Sequence, residues 1–494
     1  MKINPLFLID FYKADHRRQY PKDTTMVYSN FTPRSNKYAY KDSNEVVVFG
    51  IQYFIKEYLI TQWNEEFFYR DKHEVIEEYR ILMDRALGPG AIPIDHIEEL
   101  HDLGYLPIEL KALPEGSLCP IGIPLLTIKN TNPKFFWLTN YLETLLSNIL
   151  WKPITSASTA YIYRKEFERH SQLTGSPKDF IYWQGHDFSF RGMSGVEDAC
   201  MSGGGHLLSF NGTDTVAAIQ WLSQYYPSEQ FVGGSVPATE HSVMCMGGDG
   251  IGEFETFKRL ITETYPKGIV SIVSDTWDFW KVMTKYLPTL KEQILARDGR
   301  VVIRPDSGDP VDIICGTNHE FSETLDTHVK KGAYELLWDT FGGTINKKGY
   351  KVLNPKVGLI YGDSITYIRQ KEILARLEAK GFTASNLVLG IGSFTYEFVT
   401  RDTYGFAMKA TYGEIDGVGK EIYKDPKTDS GLKKSAKGLL MVYKENNTLK
   451  LKDQCNKEEE SIGLLKTVFL DGKLIKETSL TSIRSLINNQ FNGN

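Results

Sequence analysis

The chain has 494 residues, 41% of them hydrophobic and 24% charged, so it can bury a large core and is too long for one ordinary domain. Its formal net charge of −5 excludes a general attraction to nucleic acid or to anionic membranes. The five cysteines are far apart and odd in number, which predicts neither a disulfide framework nor a zinc site. We therefore expect a cytoplasmic protein with no nucleic-acid partner and no membrane partner.

The N-terminal 150 residues show a sheet-rich pattern that ends in a helix. The short runs EVVVFG, LPIELKAL and IPLLTI are separated by turn residues, as strands are. Apolar residues at helical spacing between Phe135 and Leu150 then predict a buried amphipathic helix. After residue 395, short strands and charged turns return, and we expect them to complete the N-terminal sheet.

Between residues 181 and 394, β-rich runs repeatedly end in a polar residue or glycine and give way to a helical pattern, which is typical of βα units. Seven residues lie near the ends of these runs: Asp187, Asp214, His241, Asp275, Asp306, Asp363 and Gly392. Five of the six intervals between them measure 27 to 34 residues, and we interpret the longer interval, 306–363, as an insertion. The pattern predicts an irregular seven-stranded, TIM-like α/β barrel over residues 151–394. Residues 1–150 and 395–494 are predicted to form a sheet-rich α+β domain.

The carboxyl ends of barrel strands carry active-site groups, and His241 is the most reactive candidate there. A lone histidine is more often structural, but the acids predicted at neighbouring strand ends favour a functional role. Strand alternation would point Glu240 and His241 to opposite faces. A carboxylate on one ring nitrogen would leave the other nitrogen as a nucleophile or base.

Two segments, IRPDSGDP and YGDS, place an acid in a tight loop that suits phosphate or ribose hydroxyls. Each is equally consistent with a turn, and Asp363 or Ser364 could simply cap the following helix. Six cations are candidates for neutralising a polyphosphate, with solvated surface charge as the alternative: Arg191, Arg304, Arg401, Lys409, Lys424 and Lys433. The lack of Walker, GxGxxG, HExxH and GxSxG motifs argues against the P-loop, Rossmann, zincin and serine hydrolase classes.

Ordered motifs along nearly the whole chain resemble those of the nicotinamide phosphoribosyltransferases, in the type II nicotinate/nicotinamide phosphoribosyltransferase family. They are DFYK (10–13), VYSNFTPR (27–34), LPIELKALPEG (106–116), FWLTNYLET (136–144), PIT (153–155), HDFSFRG (186–192), GTDTVA (212–217), SVPATEHS (235–242), VSD (273–275), IRPDSGDP (303–310), GD (362–363), TRD (400–402) and KDP (424–426).

The resemblance implies a homodimer with two active sites at the subunit interface. It implies that nicotinamide and phosphoribosyl pyrophosphate (PRPP) react to give nicotinamide mononucleotide and pyrophosphate, a step of NAD salvage. It also implies a requirement for Mg²⁺, whose protein ligands we leave unassigned, and ATP hydrolysis coupled through a phosphohistidine. The alternatives that remain are a nicotinate phosphoribosyltransferase on the same fold, and a catalytically silent binding protein.

The resemblance also implies roles for individual residues. Phe188 and Tyr12 of the partner subunit would stack on the pyridine ring, and Asp214 would accept a hydrogen bond from the carboxamide. Asp214 would disfavour the carboxylate of nicotinate by like-charge repulsion. Arg304 would hold either the ribose 5-phosphate or the carboxamide side of the ring. Other positions would bind the remaining substrate groups: Asp306 and Asp363 the ribose hydroxyls, Gly362, Gly392 and Ser393 the phosphate, Arg191 the pyrophosphate, and Ser235, Val236 and Ser271 the tunnel that admits the base.

The same resemblance assigns His241 as the phosphorylated histidine, with Asp275 and Asp306 orienting it. Cations of the partner subunit would complete the phosphate site: Arg34, Arg401, Lys409, Lys424 and Lys433. One departure from the family pattern is the segment GIGSFTYE, in which Ser393 and Phe394 stand where the family has glycines. Phe394 would constrain the backbone of that phosphate loop.

Overall fold

The computed structural model describes residues 3–317, 326–362, 364–424 and 436–492, so the predicted site residues Asp363 and Lys433 lie outside the described ranges. The strands are β1 Thr24–Thr32, β2 Glu45–Val47, β3 Ile108–Ala112, β4 Leu118–Pro120, β5 Leu126–Asn130, β6 Gly185–Asp187, β7 Gly212–Thr213, β8 Lys267–Val273, β9 Asp298–Arg304, β10 Gly343–Ile345, β11 Lys351–Leu353, β12 Val357–Tyr361, β13 Leu387–Ile391, β14 Ala407–Ile415, β15 Val418–Glu421, β16 Leu439–Glu445, β17 Thr448–Cys455, β18 Lys466–Leu470 and β19 Lys473–Leu474.

The helices connect and cover these strands. The longer α-helices are Lys72–Leu87, Asp95–Leu103, Glu143–Thr174, Val196–His206, Val216–Tyr225, His241–Gly247, Ile251–Arg259, Pro310–Cys315, Ala333–Phe341, Tyr367–Ala379, Lys457–Ile462 and Leu480–Asn492. Shorter ones are His16–Gln19, Ile51–Tyr53, Leu138–Tyr141, Ile181–Gln184, Phe279–Lys281, Leu287–Thr289, Lys291–Ala296, Thr327–Lys331 and Ser393–Tyr396. In the part of the chain that the structure describes, no helix has the length and apolarity needed to cross a membrane.

The chain divides into two compact units, each discontinuous in sequence. The first consists of Met1–Ser158, Leu222–Gln230 and Val399–Gln490, and we call it the sheet unit. The second consists of Thr159–Trp221, Phe231–Phe398 and Phe491–Asn494, and we call it the barrel unit.

The sheet unit is built on an antiparallel sheet with the strand order β15-β14-β1-β5-β3-β18-β19. Strand β1 lies inside this sheet, where Tyr28 pairs with Tyr412 on one side and with Lys129 on the other. Phe31 stacks on Phe406 with ring centroids 5.3 Å apart, so the core also joins the two chain ends. Residues from both ends of the chain therefore contribute to one sheet.

The barrel unit contains a parallel sheet with the strand order β7-β6-β13-β12-β9-β8. Its central strands are short apolar runs, and Val301, Ile303, Leu359 and Leu389 are completely buried. Such runs are typical of parallel strands covered on both faces. In its described residues, the long interval after β9 contains three α-helices and the β10–β11 hairpin before the sheet resumes at β12.

The expected seventh strand is irregular. Residues 234–239 make isolated parallel bridges, Gly212 with Gly234 and Ala238 with Ser271, and Thr239 donates its backbone N–H to the Ser271 carbonyl at 3.0 Å. Pro237 has no N–H to donate, which disfavours a continuous ladder here. In the described residues six strands form the parallel sheet, and the irregular seven-stranded barrel stays a prediction.

The sequence pattern also misplaced some boundaries. The IYWQ part of the first predicted strand is the helix Ile181–Gln184, so β6 keeps only three residues. The helix predicted over residues 135–150 appears as Leu138–Tyr141 and then Glu143–Thr174. The second part extends far beyond the prediction because buried apolar residues continue at helical spacing, Ile154 and Ala157 among them.

Candidate functional site

The carboxyl ends of the parallel strands of the barrel unit gather most of the predicted site residues at one edge. Phe188 follows β6, and Asp214 follows β7. Asp275, Asp306, Gly362 and Gly392 follow β8, β9, β12 and β13 in the same way. Because parallel strands end at the same edge of a sheet, these loops lie beside one another there.

Strand β6 presents His186 and Phe188 on one face, and their ring centroids lie 4.5 Å apart. The sheet register places His186 beside Gly212 of β7 and Gly390 of β13. A Cβ at Gly212 would lie 2.6 Å from the His186 Nδ1, and a Cβ at Gly390 would lie 2.7 Å from Cδ2 of Phe188. Glycine on both neighbouring strands therefore makes room for the two rings.

Asp214 is held by two side-chain donors. The His186 Nε2 lies 2.9 Å from its Oδ1, and the Ser235 hydroxyl donates to the same oxygen at 2.7 Å. Burial alone would raise the pKa of the carboxyl group. The hydrogen bonds from His186 and Ser235, and the charge of Arg304, outweigh burial, so the pKa of Asp214 lies below its usual value. Asp214 is therefore ionised at neutral pH.

Asp187, on the opposite face of β6, has a structural role. Its Oδ1 accepts hydrogen bonds from the backbone N–H and the hydroxyl of Ser189, and its Oδ2 accepts one from the Thr213 hydroxyl. The side chain is completely buried. Asp187 thus ties the loop that carries Phe188 to the strand that precedes Asp214.

Arg304 and two acids form the second group of the site. Nη2 of Arg304 lies 3.3 Å from Oδ2 of Asp306, and the Asp306 backbone N–H donates to Asp275 Oδ2 at 2.9 Å. Burial, together with the negative charge of Asp275, raises the pKa of Asp306 against the opposing effects of Arg304 and His241. Arg304 Nε, Asp275 Oδ1 and Asp306 Oδ1 are buried and have no hydrogen-bond partner among the described residues. The group therefore has unused capacity to bind a polar ligand.

His241 begins the helix His241–Gly247 and does not end a strand, so the strand-alternation argument for Glu240 and His241 does not apply. Its side chain is 48% exposed. The His241 Nε2 lies 3.9 Å from Oδ1 of Asp275, and its Nδ1 lies 3.1 Å from the Thr276 hydroxyl. The structure thus places an accessible imidazole with one nitrogen facing a carboxylate.

Two cavities meet at this edge of the barrel unit. One, of about 640 Å³, is largely apolar and is lined by Phe188 and Asp214 and by the predicted tunnel residues Ser235, Val236 and Ser271. The other, of about 750 Å³, is more polar and is lined by Arg191, Arg304, Asp306, Gly362, Gly392 and Ser393. Phe188, Asp214 and Arg304 line both cavities. A ligand with a flat apolar ring and a charged tail would match these two cavities, with the ring in the apolar one and the tail in the polar one.

The loop after β13 differs from the expected phosphate loop only locally. Gly392 is the N-cap residue of the short helix Ser393–Tyr396, and Phe394 is 62% exposed. Phe394 lines the polar cavity together with Gly392 and Ser393. The N-cap residue of the helix Tyr367–Ala379 is Thr366 and not Ser364, while Asp363 lies outside the described residues.

The remaining predicted residues lie in the sheet unit. Tyr12 is 60% exposed, and Arg401 lies exposed on a short 3-10 helix. Partial desolvation lowers the pKa of Lys409, and the positive charges of Arg34, Lys424 and Lys13 act in the same direction while Glu143 opposes them. This unit therefore carries a cluster of cations, of which sequence reasoning missed Lys13.

The most important functional candidate that sequence reasoning missed is His186. It stands in the quoted motif HDFSFRG, two positions before Phe188. Since side chains alternate along a strand, this spacing alone placed His186 on the same face as Phe188. Thr276, beside His241, was missed as well, and no signal in its sequence context would have identified it.

Comparison with protein families gives two matches. Residues 183–473 match the nicotinate phosphoribosyltransferase (NAPRTase) family, and residues 4–80 match the nicotinamide phosphoribosyltransferase N-terminal domain. The first match covers more than half of the chain and includes the barrel strands described above.

Similar curated proteins cover nearly the full chain. A nicotinamide phosphoribosyltransferase of Acinetobacter baylyi is 54% identical over 99% of this chain and 98% of its own length. A nicotinamide phosphoribosyltransferase of Xanthomonas campestris is 33% identical over 98% of this chain and 97% of its own length. Among solved structures, nicotinate-nucleotide pyrophosphorylase from Pyrococcus furiosus has a TM-score of 0.57 at 16% identity over 98% of this chain and 95% of its own. Human nicotinic acid phosphoribosyltransferase has a TM-score of 0.53 at 15% identity over 97% of this chain and 93% of its own. These two structures share the fold.

Close packing at Gly390 yields a stability test. We expect Gly390→Ala to lower the melting temperature, because its Cβ would meet the Phe188 ring at 2.7 Å and the Tyr361 carbonyl at 2.9 Å. Overpacking of this kind costs roughly 1–3 kcal/mol. Gly392→Ala is the control, since a Cβ there has no atom within 4 Å in the described structure. The melting temperatures of the two variants are measured by calorimetry. Equal melting temperatures would contradict the packing argument.

Proposed function

Because this chain belongs to the nicotinate phosphoribosyltransferase family, we propose that it transfers the phosphoribosyl group of PRPP to nicotinamide, giving nicotinamide mononucleotide and pyrophosphate. The observation that carries the choice of base is the ionised Asp214 beside Phe188, at the junction of the two cavities. The enzyme is a pentosyltransferase of NAD salvage, and we place it in the cytoplasm.

Asp214 selects nicotinamide over nicotinate on electrostatic grounds. A carboxylate accepts a hydrogen bond from the amide NH₂ of nicotinamide, whereas nicotinate would bring a second negative charge to the same place. Phe188 offers a face on which the pyridine ring stacks, and Tyr12 of the partner subunit would cover the other face. Nicotinate is the alternative substrate, and it requires the Asp214 charge to be neutralised.

PRPP occupies the polar cavity in this proposal. Arg191 binds the pyrophosphate, Arg304 and Asp306 hold the ribose, and Gly392 with Ser393 receives the 5-phosphate through backbone and hydroxyl donors. The pyridine nitrogen attacks the anomeric carbon as the bond from that carbon to the pyrophosphate oxygen breaks. The electron pair leaves with pyrophosphate, so holding that leaving group matters more than a strong base.

The acids after β8 and β9 fit a magnesium ion. Asp275 Oδ1 and Asp306 Oδ1 are buried oxygens without a hydrogen-bond partner in the described ranges, and Mg²⁺ prefers one or two carboxylates together with phosphate oxygens. No cluster of three or more metal-ligating side chains occurs in residues 3–317, 326–362, 364–424 and 436–492. When bound, Mg²⁺ neutralises charge on the pyrophosphate.

His241 couples ATP to the reaction in this proposal. Its Nε2 faces Asp275, which leaves Nδ1 as the nucleophile once it releases the Thr276 hydroxyl. Nδ1 attacks the γ-phosphorus of ATP, the bond to the bridging oxygen breaks, and ADP leaves. Asp275 stabilises the remaining ring proton, and hydrolysis of the phosphohistidine returns inorganic phosphate.

The quaternary structure we propose is a homodimer with shared active sites. The cation cluster of the sheet unit, with Arg34, Lys409 and Lys424, would serve the barrel unit of the partner subunit, as would Arg401 and Lys433. We also propose that residues 234–239 act as the seventh strand of an irregular TIM-like barrel, because they bridge both edges of the six-stranded sheet.

Replacement of the base-selecting acid tests the reaction and its substrate together. The wild type should form nicotinamide mononucleotide from nicotinamide, PRPP and Mg²⁺. In Asp214→Asn we expect kcat/KM for nicotinamide to fall about ten- to a hundredfold, the range for one hydrogen bond to a charged group, while the relative use of nicotinate rises. Asp298→Asn, exposed at the opposite end of β9, is the control. A wild type that prefers nicotinate would overturn the assignment.

A labelling experiment tests the role of His241. With γ-³²P ATP the protein should acquire acid-labile phosphate, and His241→Ala should lose both the label and the stimulation of product formation by ATP. His73→Ala, an exposed histidine in the helix Lys72–Leu87, serves as the control and should keep both. Label that persists in His241→Ala would place the phosphorylated residue elsewhere.

Subunit mixing tests the shared site. Arg304→Ala and Lys409→Ala should each be nearly inactive alone. In a homodimer of either variant, every active site lacks one residue, Arg304 of the barrel unit or Lys409 of the sheet unit. Co-expressed with different tags, the two variants should recover about one quarter of wild-type activity, because random pairing leaves about one site in four intact. Activity no higher than the sum of the single variants would contradict the shared site.

A further inference from the structure

The two carboxylate oxygens of Asp214 differ in their hydrogen bonds. Oδ1 receives both side-chain donors, the imidazole at 2.9 Å and the Ser235 hydroxyl at 2.7 Å. No donor from the described residues reaches Oδ2. Since Asp214 has 43% of its side chain exposed at the two cavities, Oδ2 is the oxygen left for an incoming ligand.

His186 is held firmly enough to impose this orientation. Its side chain is only 9% exposed, and its ring lies against Phe188 at an interplanar angle of 32°. The parallel register sets it between Gly212 and Gly390, where a Cβ at Gly212 would collide with Nδ1. The imidazole thus has little freedom to follow a moving carboxylate.

Arg304 lines the same two cavities as Asp214. Its positive charge contributes to the lowered pKa of Asp214, after the hydrogen bonds of His186 and Ser235. Its Nε is also buried without a partner in the described part of the chain. Without the His186 donor, only the exposed Ser235 hydroxyl still holds Oδ1, and we expect the carboxylate to turn towards Arg304. An Asp214–Arg304 ion pair would neutralise the charge that rejects nicotinate.

We propose that His186 is a positioning residue that determines base specificity: by donating from Nε2 to Asp214 Oδ1, it directs Oδ2 at the carboxamide and keeps Asp214 from pairing with Arg304. The inference rests on the proposed function of Asp214 as the base-selecting acid. It concerns how one residue orients another, so it does not require that His186 touch the substrate.

Two substitutions distinguish this role from simple packing. His186→Phe keeps a ring against Phe188 but removes the donor, whereas His186→Gln keeps an N–H donor at a similar reach. In the phenylalanine variant we expect KM for nicotinamide to rise about tenfold or more, and the ratio of kcat/KM for nicotinate to that for nicotinamide to rise about tenfold. KM for PRPP should stay within about twofold of wild type, and the glutamine variant should recover most of the specificity.

The wild-type assay separates failure of this inference from failure of the proposed function. A wild type that forms no nicotinamide mononucleotide rejects the function itself. An active wild type with an unchanged specificity ratio in His186→Phe overturns the role of His186 alone. Equal increases in KM for nicotinamide and PRPP would likewise overturn it, as the sign of a general structural effect. If His186→Phe shows no cooperative thermal transition, His186→Asn replaces it, because its shorter amide does not reach Oδ1.

Discussion

The pairing of strand β6 with β7 and β13 positions the rest of the site. Register places His186 between Gly212 and Gly390, and the same three strands carry Phe188, Asp214 and Gly392 at their ends. Because β6 has three residues and β7 has two, a shift of one position would remove most of their pairing and turn every side chain to the other face. The buried hydrogen bond from the Thr213 hydroxyl to Asp187 Oδ2, which joins β7 to β6, opposes such a shift.

The acids after β8 and β9 show how the fold brings like charges together. The Asp275 carboxylate accepts a hydrogen bond from the backbone N–H of Asp306. This bond joins the loops after β8 and β9 and also brings the two carboxyl groups close together. Burial and then the charge of Asp275 raise the pKa of Asp306, so its ionised form is costly in this position. A bound cation or a donor-rich ligand would relieve that cost, so a site of this kind binds ligand more tightly at the expense of stability without it.

The sequence predicted the gathering of the acids better than the details of the strands that carry them. Spacing of about 30 residues between polar strand ends was enough to place Asp214, Asp275 and Asp306 at one edge of a parallel sheet, because βα units have a regular length. It was less accurate before His241, where residues 234–239 make isolated bridges, since Pro237 disrupts the pairing that a regular strand would need.

The local sequence pattern could not reveal which carboxylate oxygen of Asp214 accepts hydrogen bonds. The contact of His186 with Asp214 spans 28 positions, and it depends on the register of two strands that a periodicity argument does not fix. The cations of the sheet unit are far in sequence from the acids of the barrel unit, so a periodicity argument does not relate them either. Motifs shared with a family suggested both kinds of residue, but only their physical neighbours explain what each acid can do.

The position of β1 inside the sheet of the first unit bears on how the polypeptide is made. Strand β1 is complete after residue 32, yet one of its two neighbours, β14, begins only at Ala407. On the ribosome, β1 therefore waits with an unpaired edge while more than 370 residues are synthesised. Edges of this kind attract other strands, so the unpaired β1 edge is an aggregation hazard until β14 has been made. Fragments that end before β14 would keep that edge open.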